Sequence, residues 1–545
     1  MKRNDLIKYG LTVLTASTAL IGAGGTAQAA DKKPNILVIF GDDIGTWNVG
    51  AYTHGMMGKT PNIDSLAKQG IIFTDHYGQP SCTAGRAAFI TGQLPVRTGM
   101  TTIGIPGSTR GIQKEDPTLA EVLKSAGYNT AQFGKNHLGD RNEFLPTVHG
   151  FDEWYGNLYH LNAEEEPEQL DYPGQKNPAY KEKMAPRGVM NTVATTVDDP
   201  TVDPKWGRVG KQKIENTGPL TRKRMETFDG EVLDKTLDYL DRKGKDGKPF
   251  FVWFNTTAIH IYSHSPQKYI QMAVDEGRAE QDVVRAKMLE HDEQIGKLLQ
   301  KLKDLGVEDN TIVIYTTDNG NELMLWPDGG YAPFRGEKGT TWEGGLRVPC
   351  LIKWPGQIPA GREANGIQSM EDLYVTLAAA AGLPNLKTDL LTGYKMGDLT
   401  YKVHLDGYNQ MDYWTGKTEK SARREMLYYD ETDLMAIRVD GWKMCIGTKP
   451  GGTWFEEKKY GSVPHLFNLL MDPMEKMDWE SHEWSGAGTT FLASKMWTMA
   501  TGAGFIAEHL KTLAAYPPRQ GADSLSMKKN LEMFMEKLEK SKTGD

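Results

Sequence analysis

A thiol, an arginine and the start of a helix meet in one short stretch. Pro80-Ser81-Cys82-Thr83-Ala84-Gly85-Arg86 runs into Ala87-Ala88-Phe89-Ile90, and Thr91-Gly92 closes the segment. Small residues ahead of an Ala-rich run predict a helix beginning at Cys82, whose unpaired backbone N–H groups offer a place for an anion. Arg86, four positions on, shares that face. The stretch supplies one nucleophile position and two sources of positive potential, although a lone Cys at a helix start also suits a small buried hydrophobe.

The other candidate groups follow segments that read as strands, the apolar ones among them as buried strands. Asn35–Phe40 ends at Gly41 and delivers Asp42 and Asp43. Adjacent carboxylates repel, so a positive partner is expected beside them, although either Asp alone would serve as a turn cap. Tyr128–Phe133 leads to Gly134-Lys135-Asn136-His137-Leu138-Gly139, Pro249–Phe254 leads to His260 with His264 beyond, and Thr311–Thr316 leads to Asp318-Asn319-Gly320. Asp42, Asp43, Asp318 and Asn319 form an all-oxygen set suited to a hard cation such as Ca²⁺ rather than zinc. A Gly-rich segment, Arg335-Gly336-Glu337-Lys338-Gly339-Thr340-Thr341-Trp342-Glu343-Gly344-Gly345-Leu346-Arg347-Val348-Pro349, adds Lys338.

Cys82-x-Ala84-x-Arg86 with Thr91-Gly92, Gly134-Lys135-x-His137-Leu138-Gly139, and Lys338-Gly339 through Glu343-Gly344-Gly345-x-Arg347-Val348-Pro349 closely resemble the signatures of the type I, formylglycine-dependent sulfatases of the alkaline phosphatase superfamily. Matching segments run in the family's order from Asn35 to Asp472. Two positions depart from it: Ala84 stands where the commonest version has Pro, and Asn136 where it has Trp. The resemblance implies that Cys82 is converted to formylglycine by a sulfatase-maturing enzyme and that its hydrate attacks sulfur, leaving a covalent sulfo-enzyme. It further implies that Asp42, Asp43, Asp318 and Asn319 hold Ca²⁺, with residue 82 touching the metal. Arg86, Lys135 and Lys338 would neutralise the transferring group, His260 with Lys338 would protonate the leaving oxygen, and His137 would act as base. Glu343 and Arg347 are expected to be structural. The substrate would be a small-molecule or glycan sulfate ester. Two rival functions use the same residues: a phosphodiesterase or phosphonate monoester hydrolase, and a Ca²⁺-dependent binder of sulfated glycans in which Cys82 stays a thiol.

Strand and helix alternate up to about residue 420, predicting an α/β fold with a large, mixed, mostly parallel sheet flanked by helices. Helices are expected from Thr60-Pro61 to Gly70, from Asp116-Pro117 to Gly127, around Val232–Leu240, and from Val284 to Gly306. Periodicity fades over 161–227, which predicts a long surface excursion without strands that could wall the substrate pocket. Beyond 420, short runs at Met426–Tyr429, Leu434–Val439 and Trp442–Ile446, with a hairpin turn at Asp440-Gly441, predict a smaller antiparallel sheet and terminal helices. The expected division is a leader over 1–29, a catalytic domain over 30–420 and an α+β subdomain over 421–545, with substrate specificity drawn from 161–227 and the C-terminal part.

Lys2, Arg3 and Lys8, the apolar run Leu11–Ile21 and Ala27-Gln28-Ala29 have the form of a cleaved export signal, predicting a periplasmic or secreted protein. No membrane span is expected in the mature chain. Of 63 Lys and Arg and 71 Asp and Glu, residues 1–30 hold three and one, so the mature chain carries a net charge of −10, which argues against a nucleic-acid partner. Three cysteines make no disulfide framework in 545 residues, and only Cys350 and Cys445 would be free to pair if Cys82 is modified.

Overall fold

The strand Asn35–Gly41 is buried along its whole length, and its side chains divide between two cores. Ile36, Val38 and Phe40 pack with Phe89, Trp253 and Leu373 on one side, while Leu37 and Ile39 pack with Val232, Leu298 and Leu302 on the other. Helices therefore cover both faces, which is why the strand reads as an uninterrupted apolar run. It pairs in parallel with Phe250–Asn255 on one side and Thr311–Thr317 on the other. Asn129–Gly134 continues the parallel set beyond Phe250–Asn255. In this computed structural model, which describes residues 32–535 apart from 482 and 533, these belong to one ten-stranded mixed sheet. The leader predicted over 1–29 lies outside the described residues. No helix among the described residues is long and apolar enough to cross a membrane.

The predicted helices form over Pro61–Gln69, Leu119–Ser125, Arg222–Lys243 and Val283–Asp304. The second starts later than Asp116-Pro117 suggested, because Thr118 caps it: its side chain accepts from the Glu121 N–H at 3.0 Å, and Glu121 returns the bond to the Thr118 N–H.

The excursion over 161–227 departs from expectation. It contains the two longest strands, Val189–Asp203 and Gly207–Gly218, which pair as an antiparallel hairpin and extend the sheet edge through Glu153–Gly156. Only Val189, Met190, Thr192, Gly207 and Gln212 of the hairpin are buried. With both faces mostly in water, no apolar alternation marks it as sheet. Its stability comes from backbone pairing and from Gln212, which donates to the carbonyls of Asn142 and Val209 at 2.8 Å each.

A second, four-stranded antiparallel sheet comprises Glu425–Asp430, Asp433–Val439, Trp442–Thr448 and Lys459–Asn468, followed by helices Ser485–Lys495 and Trp497–Ala515. Cys350 lies in the main sheet and Cys445 in the second, and none of the three cysteines is joined in a disulfide.

Candidate active site

Four neighbouring parallel strands of the main sheet end side by side, and each passes its next residues into one buried cluster. Asp42 and Asp43 leave Gly41, Lys135 leaves Gly134, and Asp318 and Asn319 leave Thr317. His260 follows Asn255 after a short loop. Asp43 and His137 hold left-handed backbone, φ 62° and 60°, an uncommon geometry for residues with side chains that clusters at functional sites. Cys82 is the first residue of the helix Cys82–Thr91. That helix sits directly on the end of the strand Thr311–Thr317: a Cβ at Gly85 would lie 2.0 Å from the Asp318 carbonyl oxygen, so only glycine fits.

Cys82 Sγ lies 3.3 Å from Asp42 Oδ1 and 4.0 Å from Asp43 Oδ1. Arg86 donates from Nε to Asp318 Oδ2 at 2.9 Å and from Nη1 to the Lys135 carbonyl at 3.0 Å, and its Nη2 lies 3.5 Å from Asp42. Lys135 Nζ binds Asp42, and Lys338 Nζ lies 2.7 Å from Asp43 and 3.3 Å from Glu322. His260 Nε2 stands 3.9 Å from Asp43. All of these groups are almost fully buried.

Burial works against every charge here, and the ion pairs decide which survive. It would raise Asp42, but Lys135, His260 and Arg86 hold that carboxyl well below its usual range. Asp318, pushed up by burial and by the charge on Asp42, reaches about 6. Glu322 is driven up to about 9 by burial. Burial and then Asp42 push the Cys82 thiol far up, so as an unmodified cysteine it stays protonated.

The donor set suits a hard cation. Ligand atoms of Asp42, Asp43, Cys82 and Asp318 all lie within 4.8 Å of one another. Asn319 donates to Asp43 Oδ1 at 2.7 Å, leaving its own Oδ1 buried with no hydrogen-bond partner. Three carboxylates and an amide oxygen match an oxygen-seeking ion.

The histidines resolve by their partners. The Gly104 carbonyl accepts from His137 Nε2 at 3.1 Å, so the neutral ring leaves Nδ1 as an unpartnered base. The Ile261 carbonyl takes the His260 Nδ1–H at 2.7 Å, leaving Nε2 toward Asp43. His264 stands apart, paired with Glu165 at 2.8 Å. Glu343 and Arg347 lie outside the cluster, at the contact with the second sheet.

Two residues of the site were not anticipated, His160 and Glu322. His160 stacks parallel to His260, with ring centroids 6.2 Å apart, and meets His137 edge-on at 5.7 Å. It follows the strand Glu153–Gly156, too short to be read as one from sequence, and Glu322 follows Asp318-Asn319 by three residues. The strand-end rule that found the others reaches Glu322 but not His160, whose preceding strand is not recognisable from sequence.

The sulfatase family model matches residues 34–383. The N-acetylgalactosamine-6-sulfatase of Canis lupus familiaris is 31% identical over 487 residues, spanning 85% of this chain and 84% of its own. Arylsulfatase A of Homo sapiens is 32% identical over 485 residues, spanning 84% and 86%. The crystal structure of the PsFucS1 sulfatase from Pseudoalteromonas sp. superposes with a TM-score of 0.75 at 29% identity, covering 90% of this chain and 92% of that one. The chain belongs to the sulfatase family, whose members hydrolyse sulfuric esters.

Proposed function

We propose that the protein is an exported sulfatase acting on sulfate monoesters of a sugar or an aryl alcohol, with Cys82 matured to formylglycine and Ca²⁺ held by Asp42, Asp43, Asp318 and Asn319. The observation that carries this reading is the position of Cys82, at a helix start against the carboxylate cluster and ringed by Arg86, Lys135 and Lys338. The relatives' names, a sugar 6-sulfatase and an arylsulfatase, support the ester class. The basic start, apolar run and Ala27-Gln28-Ala29 support export.

When bound, the cation polarises the sulfate oxygens, and the formylglycine hydrate supplies the attacking hydroxyl. The chain's own residues do the rest. Arg86, Lys135 and Lys338 place fixed positive charge where negative charge grows on the transferring group, in a site that excludes water. Lys338 and His260 face the departing oxygen; with the His260 Nδ1–H committed to Ile261, that ring donates only when Nε2 carries a proton. His137 Nδ1, buried and unpartnered, is the base for the second half of the cycle.

The test is the mass of the peptide bearing Cys82 from natively produced protein, with sulfate release from an ester panel. A loss of about 18 Da against the cysteine form, with faster turnover of sulfate than of phosphonate or phosphate esters, is expected. Faster phosphonate turnover would make it a phosphonate hydrolase. An unmodified Cys82 with glycan binding and no turnover would make it a binding protein.

A further inference from the structure

Beside the reaction site lies a cavity of about 570 Å³. Its floor includes Pro80 and Ser81, the residues before Cys82, and Gly339, the residue after Lys338. Trp454 and Phe455 form one wall, and residues 525–532 the other. Trp454 is fixed in place: its N–H donates to Glu337 at 3.0 Å, its carbonyl accepts from Lys449 Nζ at 2.8 Å, and its ring lies 5.1 Å from Lys338 Nζ. A Cβ at position 339 would fall 1.8 Å from that ring, so Gly339 is what lets the indole lie against the backbone of the lysine. Phe455 stacks on Trp454 at 5.2 Å and 7°, yet is 74% exposed. A large aromatic held in water by an anchored partner contributes nothing to a core, and it faces a cavity. The opposite wall is tied to the second sheet, where Ser524 donates to Glu431 at 2.6 Å and Lys529 pairs with Asp433 at 3.1 Å.

Charge narrows the occupant. Six carboxylate side chains line the cavity against four lysines, and three of those lysines, Lys449, Lys458 and Lys529, are already paired with Asp430 or Asp433. A polyanion is repelled here. A sugar ring offers a C–H face to an aromatic plane and hydroxyls to carboxylates, and the lining supplies both. We infer that this cavity holds an uncharged sugar residue adjoining the sulfated one, so that the leaving group is an oligosaccharide. The inference rests on the sulfatase reading and specifies its substrate class.

The experiment uses full-length matured enzyme and its Phe455→Ala variant, chosen because an exposed ring carries little of the fold. Both are applied to an array of uncharged oligosaccharides, and both are assayed on 4-nitrophenyl sulfate, sulfated monosaccharides and sulfated sugars flanked by neutral ones. The wild type is expected to bind uncharged oligosaccharides and to prefer flanked substrates. Phe455→Ala should weaken that binding about fivefold, and raise KM for flanked substrates about fivefold more than KM for 4-nitrophenyl sulfate. Binding to no uncharged oligosaccharide, or equal KM changes on every ester, overturns the inference while sulfate release leaves the sulfatase reading standing. Glycan binding that Phe455→Ala weakens, with no sulfate released from any ester, overturns the sulfatase reading and leaves the sugar site standing.

Discussion

Two buried charge clusters of similar make-up lie in this molecule. In the reaction site, Asp42, Asp43 and Asp318 meet Arg86, Lys135 and Lys338. Where the second sheet joins the first, Asp75, Glu343 and Glu475 meet Arg347, Arg438 and Lys443. What differs is completeness. At the joint, Tyr77 and Tyr428 each donate to Glu343 at 2.7 Å, the Glu343 N–H donates to Glu475 at 2.8 Å, and every carboxylate oxygen has a hydrogen-bond or ion-pair partner, Glu475 Oε1 meeting only Lys443, at 2.7 Å. Burial would raise Glu343, but Lys443 and the two arginines hold it at about 2. In the site, Asn319 Oδ1, Glu322 Oε1, His137 Nδ1 and His160 Nε2 are buried without hydrogen-bond partners. A closed network fixes one structure; an open one keeps capacity for a ligand.

The contrast predicts opposite consequences for losing a lysine. Lys338→Ala should lower kcat/KM on a sulfate ester about 10⁴-fold, since it removes both a charge on the transferring group and a proton donor. Its melting temperature should move little if cation binding compensates Asp43. Lys443→Met should do the reverse: leaving Glu343 and Glu475 without their shared cation costs about 4 kcal/mol of unfolding free energy. Activity per folded molecule should change less than that of Lys338→Ala by orders of magnitude. Denaturant titration alongside steady-state kinetics checks both, and equal kinetic losses would erase the distinction.

Glu164 tests the rule that a lone buried carboxyl is neither kind of cluster. It lies in the helix Leu161–Glu165, is 3% exposed, and neither of its oxygens has a partner. Burial raises it from 4.5 to about 8. Its folded value lies above its unfolded one, so its contribution to stability is complete below about pH 4.5 and is lost as pH rises through about 8. Between about pH 5 and pH 7.5 the wild type should lose about 3 kcal/mol that Glu164→Gln keeps. Melting temperatures across that range decide it, and parallel curves would mean the carboxyl has a partner in solution.

Much of this was legible before any coordinates. The four strands that end at the site are fully buried; three of them announce themselves as apolar runs, while Asn129–Gly134, with its Asn, Thr and Gln, is marked by the Gly127 break before it, and the groups at all four ends then follow from where α/β sheets place ligands. The hairpin Val189–Gly218 was not legible because water reaches most of both its faces, so its side chains carry no alternation. His160 escaped for a related reason: the strand before it, Glu153–Gly156, is four residues long. Glu343 and Arg347 fall within the same Gly-rich stretch as Lys338, and residue types cannot tell partner from catalyst there. Only the direction in which each side chain finds its charges separates them.

His160 gives the smallest expected effect and the finest test of an open network. Its Nδ1 accepts the Ala163 backbone N–H at 3.2 Å, which requires the proton of the neutral ring to sit on Nε2. That N–H is buried, unpartnered and set between His137 and His260. Burial, then the charge on His260, lowers the ring to about 3, so it stays neutral and serves as a donor, not an acid. A donor that waits for substrate affects binding more than chemistry. His160→Ala should raise KM about tenfold with kcat nearly kept, a loss of about 1.4 kcal/mol. His160→Gln, whose amide can still offer an N–H, should recover part of it. A fall in kcat with KM unchanged would instead place His160 in the proton path, through the ring of His260 that it stacks on.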